Sequence, residues 1–135
     1  MKKVFADTSY WIGLIVLKDQ LHKRAVVLTE QLADAQFVTS EMVLAELFNA
    51  ASRDRDLRES AAELVDDFRR NRGGIIVAQT AGQFDGALQL YKQVSDKAWS
   101  LKDCASFLIM EEMGIQEALT HDQHFVQAGF EALLR

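Results

Sequence analysis

Short apolar runs recur along this chain at Val4-Phe5-Ala6, residues 36–39, Ile75-Ile76-Val77-Ala78 and residues 117–120, and longer segments of helical period separate them. Strands spaced in this way cannot pair as tight hairpins. Parallel pairing needs a crossover, usually a helix, and such helices cover the faces of the sheet. The expected fold is therefore α/β, a three-layer α/β/α sandwich around a mostly parallel central sheet. With 135 residues and no proline to mark a linker, residues 1–135 are expected to form a single domain.

Local signals suggest where the elements begin and end. Asp7-Thr8-Ser9 offers capping groups between the first strand and the apolar segment 11–17. Leu21, Ala25, Leu28 and Leu32 have helical spacing. Ser40 can cap a helix over 42–51 in which only Glu46 and Asn49 are polar, and a helix apolar nearly all round is expected to be buried. Leu57, Ala61, Leu64, Val65 and Phe68 stripe the next helix, with Gly73-Gly74 as its stop. Phe84, Leu88, Tyr91 and Val94 stripe another. Ser100 begins a helix with Leu101, Cys104, Ala105, Leu108 and Ile109 on its apolar side, closed by Gly114. Residues 125–134 are expected to hold a short helix and a final strand or tail.

Composition excludes several classes. The longest apolar run, 11–17, falls far short of the roughly 20 residues a membrane helix needs. An acid at position 7 precludes a signal-peptide core. A lone Cys104 cannot form an intrachain disulfide, which points to a reducing compartment. A soluble, cytoplasmic protein is expected. The net charge of −5 argues against non-specific nucleic-acid binding through a basic surface.

In parallel sheets, ligands bind beyond the carboxyl ends of the strands. Asp7 follows the first strand and Asp122 the fourth, so acids from distant parts of the chain can share one crevice. Each acid also has a structural role open to it. Asp7 is a possible helix cap, Asp103 completes the capping-box spacing of Ser100-Leu101-Lys102-Asp103, and Asp122 can form an Asx turn. Glu46 is expected to be buried, with Asn49 on the same helix face as its partner. Two like charges about 4 Å apart repel by about 4 kcal/mol at an effective dielectric near 20, so four clustered acids imply a cation. Oxygen ligands suit Mg²⁺ or Mn²⁺. His121 and His124 lack the company of a zinc site; a surface or turn histidine is the plain alternative for each, and it is the preferred reading of His121.

Val4-Phe5-Ala6-Asp7-Thr8-Ser9, Glu46 in an apolar helix, Ser100-Leu101-Lys102-Asp103-Cys104-Ala105-Ser106 and Thr120-His121-Asp122-Gln123-His124-Phe125 together resemble the PIN-domain ribonucleases, most closely the VapC-type toxins. The resemblance spans nearly the whole chain. It implies a Mg²⁺- or Mn²⁺-dependent endoribonuclease with a pocket lined by Asp7, Glu46, Asp103 and Asp122. Asp7 and Asp103 would be the principal metal ligands. Glu46 would bind directly or through water, and Asp122 would complete the site in or beyond the inner coordination sphere. Thr8, Ser9 and Thr120 would supply hydroxyls that orient carboxylates or waters. The resemblance also implies an RNA substrate, a cognate antitoxin that occludes the pocket, and a homodimer.

Other readings fit less well. A haloacid-dehalogenase-type phosphatase needs a second Asp at position 9, which is Ser9, and a receiver domain needs a phospho-acceptor where Gln79-Thr80 follows the third strand. A silent PIN-like scaffold that binds RNA or protein is the alternative, opposed by the retention of four mutually repelling acids. Arg53, Arg55 and Arg58, or Arg69, Arg70 and Arg72, can offset the acidic charge toward RNA, although the second group also suits a helix C-terminus. Trp11, Trp99 and Tyr91 can stack on bases but read as core or dimer surface.

Overall fold

The computed structural model describes residues 1–71 and 73–135. In chain order the elements are β1 (Lys3–Ala6), α1 (Thr8–Ile15), α2 (His22–Gln31), β2 (Gln36–Ser40), α3 (Glu41–Ala51), α4 (Arg55–Asn71), β3 (Ile75–Val77), α5 (Ala81–Gln93), α6 (Leu101–Met113), β4 (Glu117–Leu119), α7 (Gln123–Gln127) and β5 (Glu131–Ala132). The strands form one sheet in the order β3-β2-β1-β4-β5, and every neighbouring pair is parallel.

The order decides where the helices go. From β1 to β3 the chain steps toward one edge, whereas the steps from β3 to β4 and on to β5 run the other way. Right-handed crossovers therefore place α1 to α4 on one face and α5 to α7 on the other. The packing agrees: α1 contacts α2, α3 and α4, while α6 contacts α5 and α7. This is the expected three-layer sandwich. The strand order reverses between β1 and β4, which opens a crevice at their carboxyl ends.

Burial explains the central strands. Val4, Phe5, Ala6, Val38, Ala118 and Leu119 are fully buried, so β1, β2 and β4 contribute apolar side chains to both faces. Ala61, Val65 and Phe68 bury one side of α4, as their spacing predicts. Several caps also form as expected. Ser40 accepts from the Val43 N–H at 3.1 Å, the Ser100–Asp103 capping box is complete, and Gly114 ends α6 at φ 68°. The apolar segment beginning at residue 11 ends as helix at Ile15, leaving Leu17 exposed.

Two expectations are corrected. The stripe on α5 is only partly a core stripe: Ala87 is buried, with Leu90 and Val94 packed beside it, but Phe84 and Tyr91 face solvent. The helix over 42–51 is not buried all round either. Val43, Leu44, Leu47 and Ala51 face the core, while Ala45, Glu46, Phe48, Asn49 and Ala50 are exposed. Its apolar composition concealed an ordinary one-sided helix, because alanine is tolerated on either face.

Candidate active site

Register brings the first two site residues together. Ala6 pairs with Leu119 across the β1–β4 ladder, so Asp7 and Thr120 leave their strands at the same level. Thr120 Oγ1 donates to Asp7 Oδ2 at 2.8 Å, and the Asp7 N–H donates to the Leu119 carbonyl at 3.1 Å. Asp7 occupies the cap position of α1, yet its carboxylate makes no capping hydrogen bond. The side chain is turned toward Lys102 and Thr120 instead, only 2% exposed. Burial pushes its carboxyl above the usual carboxylate range, against the opposing pull of Lys102 and Thr120.

Asp103 enters from α6 and both structural and pocket uses of its carboxylate are visible. Oδ2 accepts from the Ser100 N–H at 3.0 Å to close the capping box. His124 Nδ1 lies 3.1 Å from the same oxygen and 3.2 Å from Asp122 Oδ1. Both neighbours are acceptors, so Nδ1 carries the proton, and His124 holds the two carboxylates toward one another. Asp103 Oδ1 is buried and accepts no hydrogen bond. Asp122 also forms the expected turn, its Oδ1 accepting from the His124 N–H at 2.9 Å at the start of α7.

Glu46 differs from its expectation. Its side chain is 52% exposed beside Lys102 and Thr8, and no hydrogen bond joins it to Asn49 among the described residues. It needs no such partner, because water solvates the carboxylate. Its Oε2 accepts from Thr8 Oγ1 at 2.5 Å. Ser9 Oγ accepts from the His121 N–H at 3.0 Å and lies 3.4 Å from Thr120 Oγ1; since the Thr120 proton points at Asp7, Ser9 is the donor in that contact. The hydroxyls of Thr8, Ser9 and Thr120 thus tie the strand ends to the carboxylates. Asn49 is outside this network, exposed on α3.

The sequence reading missed Lys102. Its Nζ lies 2.9 Å from Asp7 Oδ1, 3.3 Å from Glu46 Oε2 and 3.5 Å from Asp103 Oδ1, with the side chain 15% exposed. Burial works against the ammonium, but the charge and hydrogen bond of Asp7, then Asp103 and Glu46, hold its pKa well above that of an ordinary lysine. A signal was present: a lysine in the first turn of a helix opposes the helix dipole unless acids face it.

The donor set fits a divalent metal ion. Asp103, Asp122 and His124 have candidate ligand atoms within 4.8 Å of one another, the two acids offering oxygens while His124 Nδ1 donates to both, and the buried Asp103 Oδ1 accepts no hydrogen bond, with the Lys102 ammonium 3.5 Å away. Asp7 and Glu46 lie outside this group, their carboxylate oxygens engaged by Lys102. Carboxylate oxygens of this kind suit a hard divalent cation.

Elsewhere, Arg53, Arg55 and Arg58 line a groove with Phe48 on the outer side of α3 and α4. Arg69 and Arg70 are in the last turn of α4, where they complement its dipole, and Arg72 lies outside the described residues. Trp11 is core, its Nε1 donating to Thr39 Oγ1 at 3.3 Å, and Trp99 stacks edgewise on Phe107. Tyr91 is 47% exposed. No helix among the described residues is long and apolar enough to cross a membrane.

The PIN domain family matches residues 4–131, and the chain, with its five-stranded parallel sheet and its acids at the switch point, belongs to that family. It is similar to Mycobacterium tuberculosis VapC20, whose crystal structure is that of a sarcin–ricin loop cleaving toxin. The two agree with a TM-score of 0.78 and 27% sequence identity over 94% of this chain and 95% of that one. Comparison with curated proteins finds no match.

Proposed function

We propose that the protein is a Mg²⁺- or Mn²⁺-dependent endoribonuclease, the toxin of a toxin–antitoxin pair, acting on RNA in the cytoplasm. The observation that carries this reading is the clustering of Asp7, Glu46 and Asp103 around Lys102, with Asp122 joined to Asp103 through His124, beyond the carboxyl ends of β1 and β4. Membership of the PIN family and the likeness to VapC20 support it.

Asp7 and Asp103 would be the principal ligands of the ion. Glu46 would bind it directly or through water, and Asp122 would complete the site. A bound Mg²⁺ or Mn²⁺ supplies Lewis-acid stabilisation of the phosphodiester and acidifies the attacking water. The chain's own contribution is orientation: Thr120 fixes Asp7 Oδ2, Thr8 fixes Glu46, and His124 fixes Asp103 and Asp122. The arginine groove beside α3 offers local positive charge for RNA phosphates, which offsets the net charge of −5. A cognate antitoxin would cover the pocket, and a homodimer remains part of the proposal, with Phe84 and Tyr91 as exposed apolar contacts.

A silent scaffold that binds RNA or protein is the second reading. Lys102 favours it, because an ammonium among the acids relieves the repulsion that would otherwise demand a metal. Incubation of the purified protein with total RNA and with an oligonucleotide carrying a sarcin–ricin loop separates the two. The nuclease should cut at discrete sites in millimolar Mg²⁺ or Mn²⁺, lose that cutting in EDTA, and regain it when metal is restored. Intact RNA under all three conditions supports the scaffold.

A further inference from the structure

We infer that Lys102 is a resident cation of the acidic pocket, holding Asp7, Glu46 and Asp103 together before metal arrives and competing with the divalent ion for Asp7 and Glu46. The inference rests on the reading that this pocket takes such an ion. Its basis is geometric. One ammonium lies within 3.5 Å of oxygens from three of the four candidate ligands, and its side chain is largely buried against them. An ion and an ammonium cannot share that space without mutual repulsion, so a metal drawn to Asp7 must displace Nζ or settle to one side of it.

The structure divides the pocket accordingly. Asp7 and Glu46 face Lys102, whereas Asp103, Asp122 and His124 form a separate group on the α7 side. Asp103 belongs to both halves, with Oδ2 engaged by Ser100 and His124 and Oδ1 nearest Lys102. Lys102 is therefore a positioning residue that acts through the carboxylates. It keeps the apo pocket assembled and sets how much metal is needed to load it.

Calorimetric titration of Mn²⁺ into wild type, Lys102→Met and Lys102→Arg reads this directly. The methionine keeps the length of the stem without the charge. It should bind Mn²⁺ at least about tenfold more tightly than wild type, because a competing charge has been removed, and it should melt at a lower temperature in EDTA. Lys102→Arg should keep the weaker, wild-type affinity. A residue of purely structural importance would give the opposite result, since a loosened pocket binds metal less well.

Equal or weaker Mn²⁺ binding by Lys102→Met overturns the competition while leaving the nuclease reading standing. Absence of Mn²⁺ binding in every variant removes both. If the methionine variant does not fold, the wild type answers alone through the ¹⁵Nζ resonance of Lys102 during a Mg²⁺ titration. Displacement from Asp7 should shift that resonance as metal saturates; an unchanged resonance at saturation overturns the proposal.

Discussion

An Asp103→Asn variant is expected to cleave RNA at least about a thousandfold more slowly than wild type while keeping its fold, since about 4 kcal/mol of transition-state stabilisation is a reasonable share for the principal metal ligand that we propose Asp103 to be. The fold should survive because an amide oxygen can still accept from the Ser100 N–H and preserve the capping box. What the substitution removes is the charge, together with the orphaned Oδ1 that has Lys102 as its nearest cation, 3.5 Å away. Asp103→Ala should be inactive too, but it should lose about 1 kcal/mol of stability besides, as the box opens. Cleavage rates measured beside thermal melts separate these effects. Wild-type cleavage by Asp103→Asn would take Asp103 out of the site.

Phe125→Ala should have the largest effect on stability, about 3–5 kcal/mol. Its ring is fully buried and stacks edge-to-face on Phe107 at a centroid distance of 4.9 Å, with Phe5 of the central strand at 6.5 Å. The helix it anchors, α7, has five residues, too few to hold itself together without tertiary packing. Asp122 and His124 lie three residues and one residue before Phe125, so the same substitution should unseat both. A fall in the urea midpoint with an unchanged slope, accompanied by weaker Mn²⁺ binding under folding conditions, is the expected pair of results. A loss below about 1 kcal/mol would contradict the packing role assigned to Phe125.

Much of this architecture was legible because its signals are local. Ser40, Ser100 and Gly114 each announce a helix end within three or four residues, and the alternation of strands and helices implies the parallel sheet. Asp7 and Asp122 could be assigned to one crevice because each follows the carboxyl end of a strand. The misreadings came from tertiary choices. Glu46 was expected to be buried because its neighbours are apolar, but Ala45, Phe48 and Ala50 share its exposed side. Phe84 and Tyr91 satisfied a helical stripe that the fold leaves in water. Lys102 escaped notice because its partners lie 95 and 56 residues away in Asp7 and Glu46, and only the closing of the sheet brings them together.

That closing also changes the argument from repulsion. Four carboxylates without a cation would demand a metal to fold around, whereas four carboxylates with Lys102 among them can wait for one. The pocket is therefore expected to be assembled in the apo state, with metal adding to stability rather than creating it.

A thermal melt in EDTA and in saturating millimolar Mn²⁺, wild type beside Asp103→Asn, tests the metal site most directly. An ion at about a hundred times its dissociation constant stabilises the folded state by about 2.7 kcal/mol, enough to raise the melting temperature by several degrees. Wild type should show that rise and Asp103→Asn should lose it. No rise in wild type, or the same rise in both proteins, would contradict a divalent-ion site built on Asp103.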